Sequence, residues 1–215
     1  MKKILFTTVF ILIFLASFAQ YDYRDSNRIG ITFGINQFTL NTNNFQTKPG
    51  QGWNGGLSVR GNFYNDWDMV YSIQFSENNF TVATKTPLTH INEEVNYKLP
   101  SAQIALQWSY KIVKNNLSVE FGPIFQLNGK LKVDNENENN SITGTDLFAK
   151  DIEDISKFNF YPTAGITFGV KHLRLNVSYQ YGLLNTLGNL NTKNLSNTNF
   201  KGNSSILNGN VIIYL

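Results

Sequence analysis

The side chains that could do chemistry fall into three sets. The first is His90 and His172, the only imidazoles of a chain that has no cysteine. A hydroxyl nucleophile needs a base of this kind, oriented in turn by an acid, all within hydrogen-bond reach. His90 falls in a long connection and His172 in a short turn, neither beside a serine and an acid on one strand face. No catalytic residue is therefore nominated, and two separated histidines make no zinc-type ligand set. Cofactor-binding and metal residues are expected to be none.

The second set is Arg60, Asp68, Lys111, Glu120, Lys171 and Arg174. By parity all six lie on the polar face of segments that alternate apolar and polar. Opposite charges enclosed together must pair and be hydrogen-bonded, since an unpaired buried charge is costly. The expectation is a structural charge network filling a narrow interior, with a path for protons or small solutes as the alternative. The third set is the acidic stretch Asp134 to Asp154, with Asp134, Glu136, Glu138, Asp146, Asp151, Glu153 and Asp154 against Lys150. Its alternate oxygens could bind calcium, but it lacks the central glycine and distal glutamate of an EF-hand loop. It reads as a solvated, mobile loop that could meet lipopolysaccharide-bridging cations or partner proteins.

The elements that place these residues are strands. Leu173 to Leu183 puts an apolar side chain at every odd position and a polar or small one at every even position, over a length that lets a tilted strand cross a bilayer. The same period recurs in Ile29–Ile35, Trp53–Phe63, Trp67–Phe75, Ala102–Ile112, Leu117–Leu127, Phe158–Val170 and Ser205–Leu215. The connections run about 14 residues, four, a dozen or more, three or four, roughly 25, two, and roughly 20. Long and short in strict alternation is the signature of an eight-stranded antiparallel up-and-down transmembrane β-barrel, an all-β fold. A soluble lipocalin-type barrel would point its apolar face inward. Here the inward sets would be Gly30, Thr32, Gly34 and Asn36, then Gln103, Gln107 and Ser109, then Asn176, Ser178 and Gln180. They describe a wet lumen and leave the apolar set for lipid. Strands one and eight must then pair, because hydrocarbon cannot satisfy an open edge. Pro100, Pro123 and Pro162 each remove a ladder donor and are expected at bulges or strand ends. Tyr64, Trp67, Trp108, Tyr110, Tyr179 and Tyr181 fit interfacial girdles.

Lys2 and Lys3, the apolar run Ile4 to Leu15 and the small residues Ser17 and Ala19 read as a cleaved export signal over 1–19, leaving a barrel domain over 20–215. Without Lys2 and Lys3, the 18 basic residues fall to 16 against 15 acidic. A nucleic-acid partner has no support in that balance. Without cysteine, disulfides and lipid attachment through an N-terminal thioether are excluded.

Several stretches resemble the PorT-like outer-membrane barrels of the Bacteroidota, within the wider group of OmpA- and OmpX-like eight-stranded barrels. They are Phe18-Ala19-Gln20, Tyr97-Lys98-Leu99-Pro100, Phe121-Gly122-Pro123, Phe160 to Gly169, and Tyr179-Gln180-Tyr181-Gly182-Leu183-Leu184-Asn185. Their order spans the chain, although Tyr214-Leu215 places one residue after the aromatic at which such barrels usually end. The resemblance implies a porin-like Gram-negative outer-membrane protein with both termini periplasmic. It implies contact with outer-membrane lipid, lipopolysaccharide and the barrel assembly machinery, and a non-enzymatic structural, interaction or secretion-accessory role in a larger complex, possibly type IX secretion. A narrow small-solute channel is the alternative, and an outer-membrane lipid hydrolase a more distant one.

Overall fold

Short turns with the right residues fold the chain back on itself. Asn65 takes φ 49°, a left-handed conformation that asparagine tolerates better than most residues, and so joins two strands through Asn65 and Asp66 alone. The computed structural model describes residues 27–89, 91–114, 116–193, 195 and 199–215. The expected export signal, residues 1–19, and His90 lie outside them. The strands are β1 (Arg28–Thr42), β2 (Thr47–Tyr64), β3 (Trp67–Lys85), β4 (Asn92–Val113), β5 (Leu117–Asn128), β6 (Ser141–Ile142), β7 (Phe158–Gly169), β8 (Leu173–Tyr181) and β9 (Gly202–Tyr214).

Each long strand pairs antiparallel with the next, and β1 pairs β9 from Gly30↔Tyr214 to Thr42↔Gly202. The sheet is thus a closed barrel of eight long strands. The two-residue β6 is a ninth strand that the periodicity did not signal. It pairs with the tip of β3 through Thr84↔Ile142 and Lys85↔Ser141, where β2 no longer reaches.

One end of the barrel carries the short connections after β2, β4 and β7, and the other carries the loops. Along β1 from the turn end, Ile29, Ile31, Phe33 and Ile35 face outward and are exposed, while Thr32 and Asn36 are buried inside. Past Asn36 the chemistry reverses without any change of parity. Gln37 and Asn41 now face outward, and Phe38 and Leu40 are buried within. On β3 the outer Tyr71, Ile73 and Phe75 give way to Glu77 and Asn79, as the inner Ser72 and Ser76 give way to Phe80 and Val82. On β4 the inner Ser109 and Gln103 give way to Leu99, Tyr97 and Val95.

This reversal corrects two connections. The segments after the first and third strands are not long loops: β1 and β2 are joined by residues 43–46 and β3 and β4 by 86–91. A pattern whose apolar members move to the other face reads, along the sequence, as a pattern lost.

The loop-end interior is an apolar core. Phe80 stacks on Tyr97 with ring centres 5.4 Å apart and planes at 14°, and Phe38 lies 5.7 Å from Phe80. Residues 129–157 cross the mouth and insert Leu131, Ile142, Leu147, Ile152 and Ile155, while the connection after β8 adds Leu187, Leu190 and Phe200. Burying each such side chain contributes about 1.5 to 3 kcal/mol. The acidic stretch is therefore a folded plug rather than a solvated, mobile loop: Asp134 and Glu136 are exposed, and its apolar residues hold it down.

The prolines sit where ladders start or break, with register preserved. The β4–β5 ladder begins at Ser101, after Pro100, and the β7–β8 ladder at Thr163, after Pro162. Pro123, the cross-strand partner of Pro162, falls in the gap between Ala105↔Ile124 and Trp108↔Phe121. At those ladder ends and in that gap no N–H is called for, so the prolines are accommodated without a bulge.

Candidate functional site

The candidate site is the lumen, and its charged part lies at the turn end. Arg60 lies on the inner row of β2 one step before Asn62, Asp68 opens that of β3, Lys111 lies near the end of β4 opposite Ser118, and Glu120 follows Ser118 on the inner row of β5. The Arg60 guanidinium forms an ion pair with Glu120 and donates through Nη1 to Ser109 Oγ at 2.7 Å and Asp68 Oδ2 at 3.3 Å. Lys111 Nζ lies 2.8 Å from Asp68 Oδ1. Asp68 thus bridges two cations, and Arg60 two carboxylates, in an enclosed interior. Hydrogen bonds take up the remaining lone pairs, which is what a buried charge requires. Asn176 Nδ2 donates to Glu120 Oε2 at 3.2 Å and to Thr167 Oγ1 at 2.9 Å.

The six expected charges do not all meet. Lys171 is exposed in the turn after β7, where strand parity no longer applies, and only its carbonyl takes part, accepting from Arg28 Nη1 at 3.2 Å. Arg174 is buried but makes no ion pair with Asp68 or Glu120. Two contributors were missed. Arg28 precedes the first apolar residue of β1, and Tyr214, treated as an end marker, turns its hydroxyl inward to Ser58 Oγ at 3.4 Å and Arg60 Nε at 3.5 Å. The inward parity of β1 and β9 was the signal that could have found both.

Above the charges lies a belt of amides. Gln103 Nε2 donates to Gln126 Oε1 at 2.6 Å and Gln180 Oε1 at 3.0 Å. The β1–β2–β9 wall is drawn in tightly. A Cβ on Gly34 would come within 2.2 Å of both Asn210 Oδ1 and the Gly209 carbonyl, and one on Gly52 within 2.7 Å of Asn36 Oδ1. Asn36 and Asn210 are among the buried amide oxygens without an N–H or O–H partner. Each rests over a glycine, where a weak Cα–H donor is available.

The remaining candidates lie apart from one another. His172 Nδ1 is 3.1 Å from the Tyr214 carbonyl in the turn region, with no serine or acid bonded to it among the described residues. No group of three or more metal-ligating side chains occurs among the described residues. On the outer surface Trp67 packs 5.0 Å from Tyr110 and 6.0 Å from Phe121, and Trp108 lies 6.1 Å from Phe121. With Tyr64 and Phe63 they ring the turn end. Tyr179 and Tyr181 are exposed on the loop-end half of β8. In the loop-end core, Tyr97 Oη donates to the Ala149 carbonyl at 2.9 Å. Burial, and then the charges of Glu153 and Asp151, hold its phenol well above the ordinary tyrosine range.

A family model described as outer membrane protein beta-barrel domain matches residues 18–188. No curated protein sequence matches the chain. Among solved structures, Neisserial surface protein A is 14% identical, with 88% of this chain and 99% of that one covered and a TM-score of 0.48. Ail, the attachment invasion locus protein of Yersinia pestis, solved with the heparin analogue sucrose octasulfate, is 14% identical over 88% of this chain and 99% of its own, with a TM-score of 0.47. OprG from Pseudomonas aeruginosa is 10% identical over 88% and 94%, with a TM-score of 0.45.

Proposed function

Because the chain belongs to the outer membrane protein beta-barrel domain family, we propose that it serves the outer membrane as a closed, non-enzymatic barrel whose loop end is a rigid contact surface. In this reading the turns and both chain ends face the periplasm and the plugged mouth faces outward, the usual arrangement of bacterial barrels. The observation that carries it is the apolar core seated in the mouth, with Phe38, Phe80, Tyr97, Leu147 and Leu190 buried together. A pore would leave that space to water. A folded cap instead holds the exposed acidic side chains Asp134 and Glu136 in fixed positions, as a docking surface requires.

The specific role we favour is that of an accessory in a larger outer-membrane assembly, such as a type IX secretion apparatus. It rests on the PorT-like motifs Tyr97–Pro100 and Tyr179–Asn185. Gentle detergent extraction of native membranes followed by affinity capture tests it. Stable copurification with a larger outer-membrane complex is expected, and recovery of a free monomer alone would remove the accessory role. A narrow solute path is the second reading, favoured by the continuous polar belt between Gln103 and Glu120. It predicts conductance steps in planar bilayers that change in E120Q, so silent bilayers would dispose of it.

A further inference from the structure

Arg60, Lys111 and Arg174 face the turn end of the lumen, and the carboxylates in the network there are Asp68 and Glu120. Both carboxylates are engaged by Arg60 and Lys111. Arg174, opening the inner row of β8, is 4% exposed. Its Nε has no hydrogen-bond partner, and no carboxylate among the described residues lies within ion-pairing distance of it.

The walls beside Arg174 do not supply the missing partner. Its neighbour on β7 is Gly169, which has no side chain, and its neighbour on β9 is Ile212, which cannot hydrogen-bond. Gly169 brings the two backbones close, a Cβ there falling 2.3 Å from the Leu173 carbonyl oxygen and 2.8 Å from the Arg174 Cα, so no β7 side chain stands beside Arg174. A buried guanidinium without a counterion is among the costlier arrangements in a protein. Its planar fork of donors matches an oxyanion in bidentate fashion.

We propose that Arg174 anchors an anion site at the turn end of the lumen, which takes a small free oxyanion of phosphate or carboxylate chemistry. Arg174 faces the inside of a closed ring, so a phospholipid headgroup in the surrounding bilayer is separated from it by the barrel wall. The ligand is therefore a free anion arriving through the turn end. The site is independent of any accessory role at the loop end.

The test compares wild type with R174Q, both folded in uncharged maltoside micelles. Thermal unfolding is followed while inorganic phosphate or acetate replaces chloride at constant ionic strength. The expected result is a saturable rise of the wild-type midpoint with phosphate, flat in R174Q and weakened in R174K. Should R174Q not give the compact, heat-modifiable form, the Nε resonance of Arg174 in nitrogen-15 arginine-labelled wild type is read instead, and it is expected to move on phosphate addition. Equal midpoint shifts in wild type and R174Q, or a wild type that responds to neither anion in either measurement, would overturn the proposal.

Discussion

The two halves of β1 point their side chains by the same rule and choose them by opposite ones. From Ile29 to Asn36 the outer face is apolar and the inner face polar; from Gln37 to Asn41 the outer face is polar and the inner face apolar. Barrel geometry fixes only direction. The medium outside fixes chemistry. In the turn-end half, lipid rewards Ile31 and Phe33 for facing out, and an eight-stranded interior is filled by side chains whose polarity is then free to vary. In the loop-end half, water surrounds the wall and the ordinary hydrophobic effect drives Phe38 and Leu40 into a core. The upper half is held by area removed from water, the lower by paired charges and amides.

The largest expected effect comes from breaking the lower half. Replacing Glu120 by alanine leaves the Arg60 guanidinium short of its counterion in a closed lumen, and loss of one partner of a buried pair costs about 3 to 5 kcal/mol. Denaturant unfolding in lipid vesicles measures it. Adding R60M, D68N and K111M to E120A should recover most of that loss, because the four partners of the network then lose their charges together. A neutral E120A would mean that water reaches these charges, and the contrast between the halves would fail. Phe80→Ala in the upper half should cost a comparable amount, about 3 to 5 kcal/mol, for the lost burial and the cavity left beside Tyr97. Its reach should differ. Amide exchange is expected to accelerate at Val82, Val95 and Leu147 while Thr32 and Ser178 stay protected, and uniform acceleration would show that the halves unfold as one unit.

A matched pair on one strand face sharpens the boundary. Ile31 and Asn41 both point outward on β1 and are both exposed. Ile31→Arg should cost about 2 to 4 kcal/mol, the range for a cation on the lipid face near the midplane. Asn41→Arg should stay within about 0.5 kcal/mol, as surface changes do. Equal costs would place both positions in the same medium.

The same contrast explains what could be read from the chain. β8 and the lower part of β4 were legible because a single medium lies outside their whole length and the alternation never reverses. Residues 37–42, 47–52, 77–85 and 92–99 were taken for loops because their apolar members sit on the inner face, out of phase with the segments they continue. Arg60, Asp68, Lys111 and Glu120 were legible as inward charges, since parity within a strand decides that. Their pairing was not. Arg60 on β2 and Glu120 on β5 are not on neighbouring strands, and only the tilt and shear of the closed barrel bring them level. Lys171 misled because parity counted through Gly169, with φ 146°, into a turn no longer reports direction.

The most local change isolates one hydrogen bond in the loop-end core. Tyr97 is buried with its hydroxyl on the Ala149 carbonyl, which ties β4 to the segment crossing the mouth. Tyr97→Phe keeps the ring stacked on Phe80 and removes only the donor, for about 1 kcal/mol. Its pH dependence separates it from a packing defect. The Tyr97 phenol is raised in the folded state by burial and by Glu153 and Asp151, whereas in the unfolded chain it ionises near the usual value of about 10. A raised folded value means that the contribution is fully present below about pH 10 and is lost as pH climbs toward the folded value. Exchange at Ile142 and Leu147 should therefore quicken at alkaline pH in wild type and much less in Tyr97→Phe. The lower half of the barrel should not respond in either. Identical alkaline profiles for the two proteins would show that Tyr97 ionisation does not loosen the cap.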